Sequence, residues 1–268
     1  MVPKTNMVPQ DVVPLPVQQA ADAQQFGTFL KAHKASLTRT TLGATLFLVG
    51  AVLFLAGGIF ATDSTTRIKI LLLVFGVLFL GQAIFMAYRV TRAVNQQIYL
   101  FQQGIVIDKG GQVQPFPWNQ TAEVWQSVTR RYQYGVYIGT VSLYTLRRLD
   151  GYQVKLDNLT KGIAELGPVI AQGITRALVP RALHAIQSGQ TQTFGPFSIN
   201  QQGIGNGREW IPWSQVQEID VRQRWVTVKK VGTSRAWGTA LVAKIPNFPV
   251  FITVAEELRW RFGGRQNE

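Results

Sequence analysis

Two uncharged apolar runs, separated by eight residues at 62–69, constrain this chain more than any other feature. Residues 42–61 hold Thr45 as their one polar side chain, and residues 70–88 hold Gln82 as their one interior polar group. At about 1.5 Å rise per residue, each run reaches about 30 Å as a helix, the thickness of a bilayer's hydrocarbon core. A soluble core helix is the alternative, but adjacent uncharged runs of this length are rare in soluble domains. The sequence predicts transmembrane helices at 42–61 and 70–88 joined by a short loop at 62–69. All else then hangs from one face of a membrane.

Small residues mark how such a hairpin packs. Gly43, Gly50 and Gly57 recur every seven residues and share one helix face; Gly76, Ala83 and Ala87 fall near one stripe of the second run. Small side chains let helix backbones approach where no hydrophobic force draws them together. The stripes suit packing within the hairpin or against a second copy in a homo-oligomer, and the sequence leaves both open. Gln82 alone is thin support for a transport path, which needs polar or ionisable groups inside the membrane. The hairpin reads as an anchor.

Orientation follows from basic residues near the run ends. Lys31, Lys34, Arg39, Arg89 and Arg92 flank the outer ends, against Arg67 and Lys69 in the loop. Positive residues favour the cytoplasmic side. Both termini are therefore expected in the cytoplasm, in a multi-pass protein of the cell membrane.

Composition removes several chemistries. Without cysteine there are no disulfides, thiolate metal sites or cysteine nucleophiles. His33 and His184 stand in different regions without companion ligands and read as surface or juxtamembrane residues. The net charge is +13. After Arg89 there are twenty basic and eleven acidic residues, so the hydrophilic part alone carries +9. That balance suits an anionic surface. For a membrane-attached chain the lipid bilayer and its anionic headgroups are the nearest one, ahead of an acidic protein partner, and nucleic acid is a minor reading.

Residues 1–25 contain Pro3, Pro9, Pro14 and Pro16 and lack the signature of a signal peptide. They read as a disordered tail. A juxtamembrane helix is expected at 26–41, with Phe26, Phe29 and Leu30 on one side.

Beyond Arg92 the chain repeats itself. Residues 99–124 and 197–219 share the string Gln-Gln-Gly-Ile, at Gln102–Ile105 and Gln201–Ile204. Each then gives Pro-Trp, a polar residue, Gln, and a Glu before a β-branched residue: Pro117, Trp118, Gln120, Glu123, Val124 against Pro212, Trp213, Gln215, Glu218, Ile219. Gly104 and Gly203 are expected to free the backbone for tight turns. Trp118 and Trp213 are expected to bury against a sheet. Strands are expected at 136–146 and 152–156 around Leu149-Asp150-Gly151, then helical spacing over Ile163, Leu166, Ile170, Ile174 and Leu178 until Pro180 interrupts it. The second copy has strands at 225–231 and 237–244 and a helix at 247–262. The expected fold class is an α+β membrane protein: a two-helix transmembrane hairpin plus two units of antiparallel strands, each capped by a C-terminal helix, at 97–190 and 191–262, with a tail at 263–268.

That order, with a Gly and then Pro-Trp at the strand openings, resembles bacterial pleckstrin-homology-like (PH-like) domains. From about Leu42 the chain is similar to an uncharacterised bacterial family, a domain of unknown function with a membrane hairpin and tandem PH-like halves. The match rests on the repeat residues above and on the segments at 178–199 and 244–258. The resemblance implies an architecture and no activity. PH domains that bind phosphoinositides carry basic residues in the first strand–strand loop; here those loops are Gln102-Gln103-Gly104 and Gln201-Gln202-Gly203, without a cation.

The most unusual hydrophilic segment is 221–255, which has no acidic residue. Its Arg222, Arg224, Trp225, Lys229, Lys230, Arg235 and Trp237 are candidate contacts for lipid or a partner, since each cation near an anionic leaflet contributes about 1 kcal/mol. A solvated sheet face with both tryptophans in the core is the alternative. Arg147, Arg148 and Lys155 form a weaker version of the pattern. No nucleophile–base pair, metal cluster or phosphate-binding loop is recognisable, so neither a catalytic residue nor a cofactor is assigned. The reading is a non-enzymatic, membrane-anchored protein that presents tandem PH-like modules to the cytoplasm for scaffolding or recognition of a protein partner. A transporter or channel accessory acting through an oligomerised hairpin, and a membrane enzyme with an unrecognised site, are the alternatives.

Overall fold

The computed structural model describes residues 13–36, 38–60, 65–94, 96–134 and 136–263. Residues 62–64 of the expected loop at 62–69, the start of the tail at 1–25 and the end of the tail at 263–268 lie outside the described residues, as do the side chains of Arg39 and Arg92. Two helices, α2 (Thr38–Phe60) and α3 (Thr66–Ala93), form an antiparallel hairpin, and each is long and apolar enough to cross a membrane. Only 11% of each span is buried, so among the described residues their outward apolar faces are left uncovered.

The glycine stripe packs inside the hairpin. A Cβ at Gly43 would meet Met86 Sδ at 3.3 Å, one at Gly50 the Phe79 ring at 2.7 Å, and one at Gly57 Leu72 Cδ1 at 3.5 Å. Met86, Phe79 and Leu72 are themselves seven apart, so large residues of one helix fill a small-residue seam of the other. Gly76 faces Leu55 at 2.6 Å and Ala83 is buried, whereas Ala87 is exposed and takes no part. Gln82 points outward.

The segment before the hairpin differs from expectation. Residues 15–23 form helix α1 (Leu15–Ala23), not a disordered tail. Pro16 sits in its first turn, where a missing N–H costs nothing. Val17 and Ala21 are buried on Tyr99, Phe101, Val106 and Phe26. The expected helix at 26–41 is instead strand β1 (Phe29–Lys34), followed directly by α2. Strand β1 pairs antiparallel with β2 (Gln96–Phe101), Phe29 opposite Phe101 and Lys34 opposite Gln97. A strand partner outside the local sequence overrides the helical spacing of Phe26, Phe29 and Leu30.

β1 completes a four-stranded sheet with β2, β3 (Gly104–Lys109) and β4 (Gln112–Pro117). A three-stranded sheet follows, β5 (Thr121–Gln133), β6 (Val136–Arg148) and β7 (Gln153–Leu156), then helix α4 (Ile163–Gln187). The second unit repeats this: a four-stranded sheet of β8 (Gln192–Phe194), β9 (Phe197–Ile199), β10 (Gly203–Gly205) and β11 (Trp210–Pro212), a three-stranded sheet of β12 (Val216–Arg222), β13 (Trp225–Lys230) and β14 (Ala236–Leu241), and helix α5 (Phe248–Phe262). Since β1 corresponds to β8, the helical hairpin is an insertion between the first and second strands of the first unit. Both its ends are fixed to one sheet edge.

The repeat is also a repeat of contacts. Trp118 and Trp213 are buried, each after a proline and each opening a 3-10 turn. Their indole N–H groups donate to the carbonyls of Gln102 and Asn200 at 3.1 and 3.0 Å. Glu123 pairs across strands with Arg147, and the equivalent Glu218 with Lys229. Gly104 and Gly203 are not needed for turn freedom. A Cβ at Gly203 would lie 2.0 Å from the Ile211 carbonyl oxygen, and one at Gly104 2.6 Å from the Phe26 ring. Close approach of neighbouring groups excludes a side chain there.

Pro180 does not interrupt the helix: α4 runs unbroken through Pro168 and Pro180. The lost backbone bonds are offset by burial at both ends of α4. Ile163, Leu166, Ile170 and Ile174 enter the first core, Ala182 and Ile186 the second, and Leu178 touches both. One helix thus caps the first unit and floors the second.

The β6–β7 turn is held by charge. Arg148 Nε donates to Asp150 Oδ1 at 2.8 Å and the Tyr152 amide to the same atom at 3.1 Å. The Arg148 guanidinium holds the Asp150 carboxyl down at about 2. Because the folded value lies below the unfolded one of about 3.9, the stabilisation is present above pH ~4 and fades as pH falls through ~2. A carboxyl-carbon NMR titration should place the Asp150 midpoint near 2, returning to the ordinary range in Arg148→Gln.

Candidate functional site

The acid-free segment gains acidic partners in space. Arg222 pairs with Asp220 at 2.8 Å, Lys229 with Glu218 at 2.8 Å, and Lys230 with Glu209 at 3.5 Å. All three carboxylates precede the segment in sequence and reach it through the sheet and the loop beside it. Exposed pairs of this kind contribute at most about 1 kcal/mol each, so they neutralise charge more than they stabilise.

The structure also divides the seven candidate residues between two ends of β13. Arg222, Arg224 and Trp225 sit at the β12–β13 turn, where Gln223 and Arg224 both take left-handed backbone, φ 47° and 79°. That pair of conformations gives a turn whose twist matches the strands it joins. Lys229, Lys230 and Arg235 lie at the far end, about 17 Å away along the strand. Trp237 is half-buried against the second core, whereas Trp225 is 45% exposed.

The first end touches the first unit. Arg224 Nη1 donates to Thr129 Oγ1 of β5 at 3.2 Å. Thr129 is opposite Val141 of β6. Next to Val141, the Asn158 side chain accepts from the Ser142 amide and donates to the Thr140 carbonyl, both at 2.7 Å. Adjacent Asp157 pairs with Arg89, in the last turns of α3, at 3.1 Å. A relay of contacts therefore links the turn carrying Arg224 to Arg89 through β5, β6 and Asn158.

A cavity of about 330 Å³ opens where α3 meets the first unit, lined by Phe85, Tyr88 and Arg89 of the helix and by Lys155, Asp157 and Thr160. An apolar wall and two cations face one acid. Sequence reasoning missed this site because Lys155 and Arg89 are distant in sequence and meet only through β7.

His33 is buried, not a surface residue: its Nδ1 lies 2.9 Å from the Lys161 carbonyl and its ring packs on Gly162. His184 is exposed in the last turn of α4. Among the described residues no group of three or more His, Cys, Asp or Glu is placed to hold a metal ion.

A sequence family described as a family of unknown function (DUF6585) matches residues 6–260. No curated protein and no solved structure matches the chain.

Proposed function

The chain belongs to DUF6585, and on that premise we propose that it is a membrane-anchored, non-enzymatic protein whose α2–α3 hairpin spans the bilayer. It presents two PH-like units on the cytoplasmic face for scaffolding or recognition of a protein partner, steadied by anionic lipid. One observation carries the reading: two helices with exposed apolar faces are inserted between neighbouring strands of a sheet. Burying about 30 Å of apolar helix needs a bilayer, and the insertion points both helix ends at the same unit. Each unit's four-strand sheet, three-strand sheet and closing helix supports the PH-like assignment. Lipid contact is supported by Arg89 and Lys155 at the junction cavity.

The absence of cysteine allows a clean test. Thr65→Cys, in the loop, is expected to react with a membrane-impermeant maleimide on intact cells, and Gln190→Cys only after permeabilisation. The reverse pattern overturns the orientation. Labelling of neither site before permeabilisation overturns the spanning hairpin.

A further inference from the structure

The β5–β6 hairpin is longer than its sheet. Strand β7 covers β6 only from Tyr144 to Arg147, so beyond Ser142 the two strands continue as a ribbon with no third strand among the described residues. Both faces of that ribbon carry exposed apolar groups: Val136 is 65% and Ile138 56% exposed on one, Tyr137 55% on the other, and Tyr134 at the turn 96%. A bare two-stranded ribbon is marginal in water, and clustered exposed apolar groups mark an interaction surface. The sequence from Val124 to Leu149 contains no acid, and Arg130 and Arg131 stand opposite Thr140 and Gly139.

Direction is set by the contacts already given. β7 runs toward α3 and ends at Asp157, paired with Arg89. β6 is antiparallel to β7, so followed backwards from Arg148 it also runs toward that end and passes Asn158 at Ser142 and Thr140. From Thr140 to the tip is about 15 Å of further strand. The order along it is two arginines and then tyrosine, valine and isoleucine.

We propose that this ribbon dips into the bilayer interface beside the α2–α3 hairpin, its arginines among anionic headgroups and Tyr134, Val136, Tyr137 and Ile138 at the headgroup–acyl boundary. The inference rests on the membrane-spanning reading above. Tyrosine suits that depth because its ring is apolar and its hydroxyl wet. A third attachment point then stops the first unit swinging on the two helix ends.

The test uses the full chain in vesicles containing phosphatidylglycerol. Single cysteines at Ile138, Leu53 and Gln190, each carrying an environment-sensitive fluorophore, are compared for quenching by nitroxide-labelled lipid. Leu53 is an outward residue of α2, 67% exposed; Gln190 lies near Leu149, at the opposite end of β6. The expected result is strong quenching at Leu53 and Ile138 and several-fold less at Gln190. Quenching at Leu53 with Ile138 matching Gln190 overturns the ribbon proposal and leaves the anchor standing. Absence of quenching at Leu53 overturns both. Energy transfer between copies labelled at Ile138, without lipid quenching, would assign the ribbon to a second copy and also overturn the proposal.

Discussion

Gly203→Ala is expected to destabilise the second unit by about 4 kcal/mol or more, while Gly207→Ala, four residues on, should cost only about 1 kcal/mol. The contrast runs against backbone conformation. Gly207 has φ 84° with open space around its Cβ position, so alanine there meets only the left-handed penalty. Gly203 would place a Cβ 2.0 Å from the Ile211 carbonyl oxygen and 2.8 Å from its carbon. Those are backbone atoms of the paired strand β11 and cannot rotate away. Relief requires parting β10 from β11 by more than 1 Å, which breaks the Gly203–Pro212 pairing and draws out Trp213, buried just beyond it. Overpacking usually costs 1–3 kcal/mol; a backbone clash at a core edge belongs above that, at about 4 kcal/mol or more. Against a typical stability of about 5–15 kcal/mol, that removes a quarter or more of the margin and lowers the melting temperature of a unit this size by roughly 15–30 °C. Thermal melts of the full chain in detergent, followed by tryptophan fluorescence, decide it. Equal melting of the two variants would show that Gly203 serves the turn and not the close approach.

The glycine illustrates what the sequence could and could not reveal. Its place in a repeated Gln-Gln-Gly-Ile string marks it as special, but the atom that excludes a side chain sits on a strand eight residues away. Features written in local spacing were legible: the two apolar runs, the seven-residue glycine stripe, the paired Pro-Trp openings and the apolar face of α5. Features that depend on distant partners were not. Strand β1 pairs with a segment beyond both long helices, and its Lys31 and Lys34 disguise an edge strand as a juxtamembrane helix. Helix α1 hides behind prolines that fall where a helix tolerates them. The basic run at 221–255 looks unopposed because Glu209, Glu218 and Asp220 reach it from before the segment. Pro180 breaks a helix only when nothing beyond it is buried, and here the second core waits beyond it.

Asn247→Gly is expected to loosen the second unit from the first by about 2–6 kcal/mol without unfolding either. Asn247 has φ 52°, a conformation glycine adopts freely, so the substitution removes the side chain while keeping the turn into α5. That side chain behaves as one more residue of strand. Its Nδ2 donates to the Ala122 carbonyl and its Oδ1 accepts from the Val124 amide, both at 2.9 Å, while its own amide donates to the Val124 carbonyl at 2.8 Å. These bonds occupy the otherwise free edge of β5. Removing the two side-chain bonds strands a partly buried donor and acceptor, at about 1–3 kcal/mol each. The Val124 amide should then exchange with solvent roughly a hundredfold faster. Amides in the centre of each sheet, such as Ile107 and Val228, should keep their protection. α4 still joins the units, so the loss is of angle more than attachment. The Arg224–Thr129 contact is the next to yield, because it lies farther along the same β5 edge. Freed from Asn247, the turn carrying Arg222, Arg224 and Trp225 would no longer be held against β5. A variant that left Val124 exchange unchanged would place the unit-to-unit coupling in α4 alone.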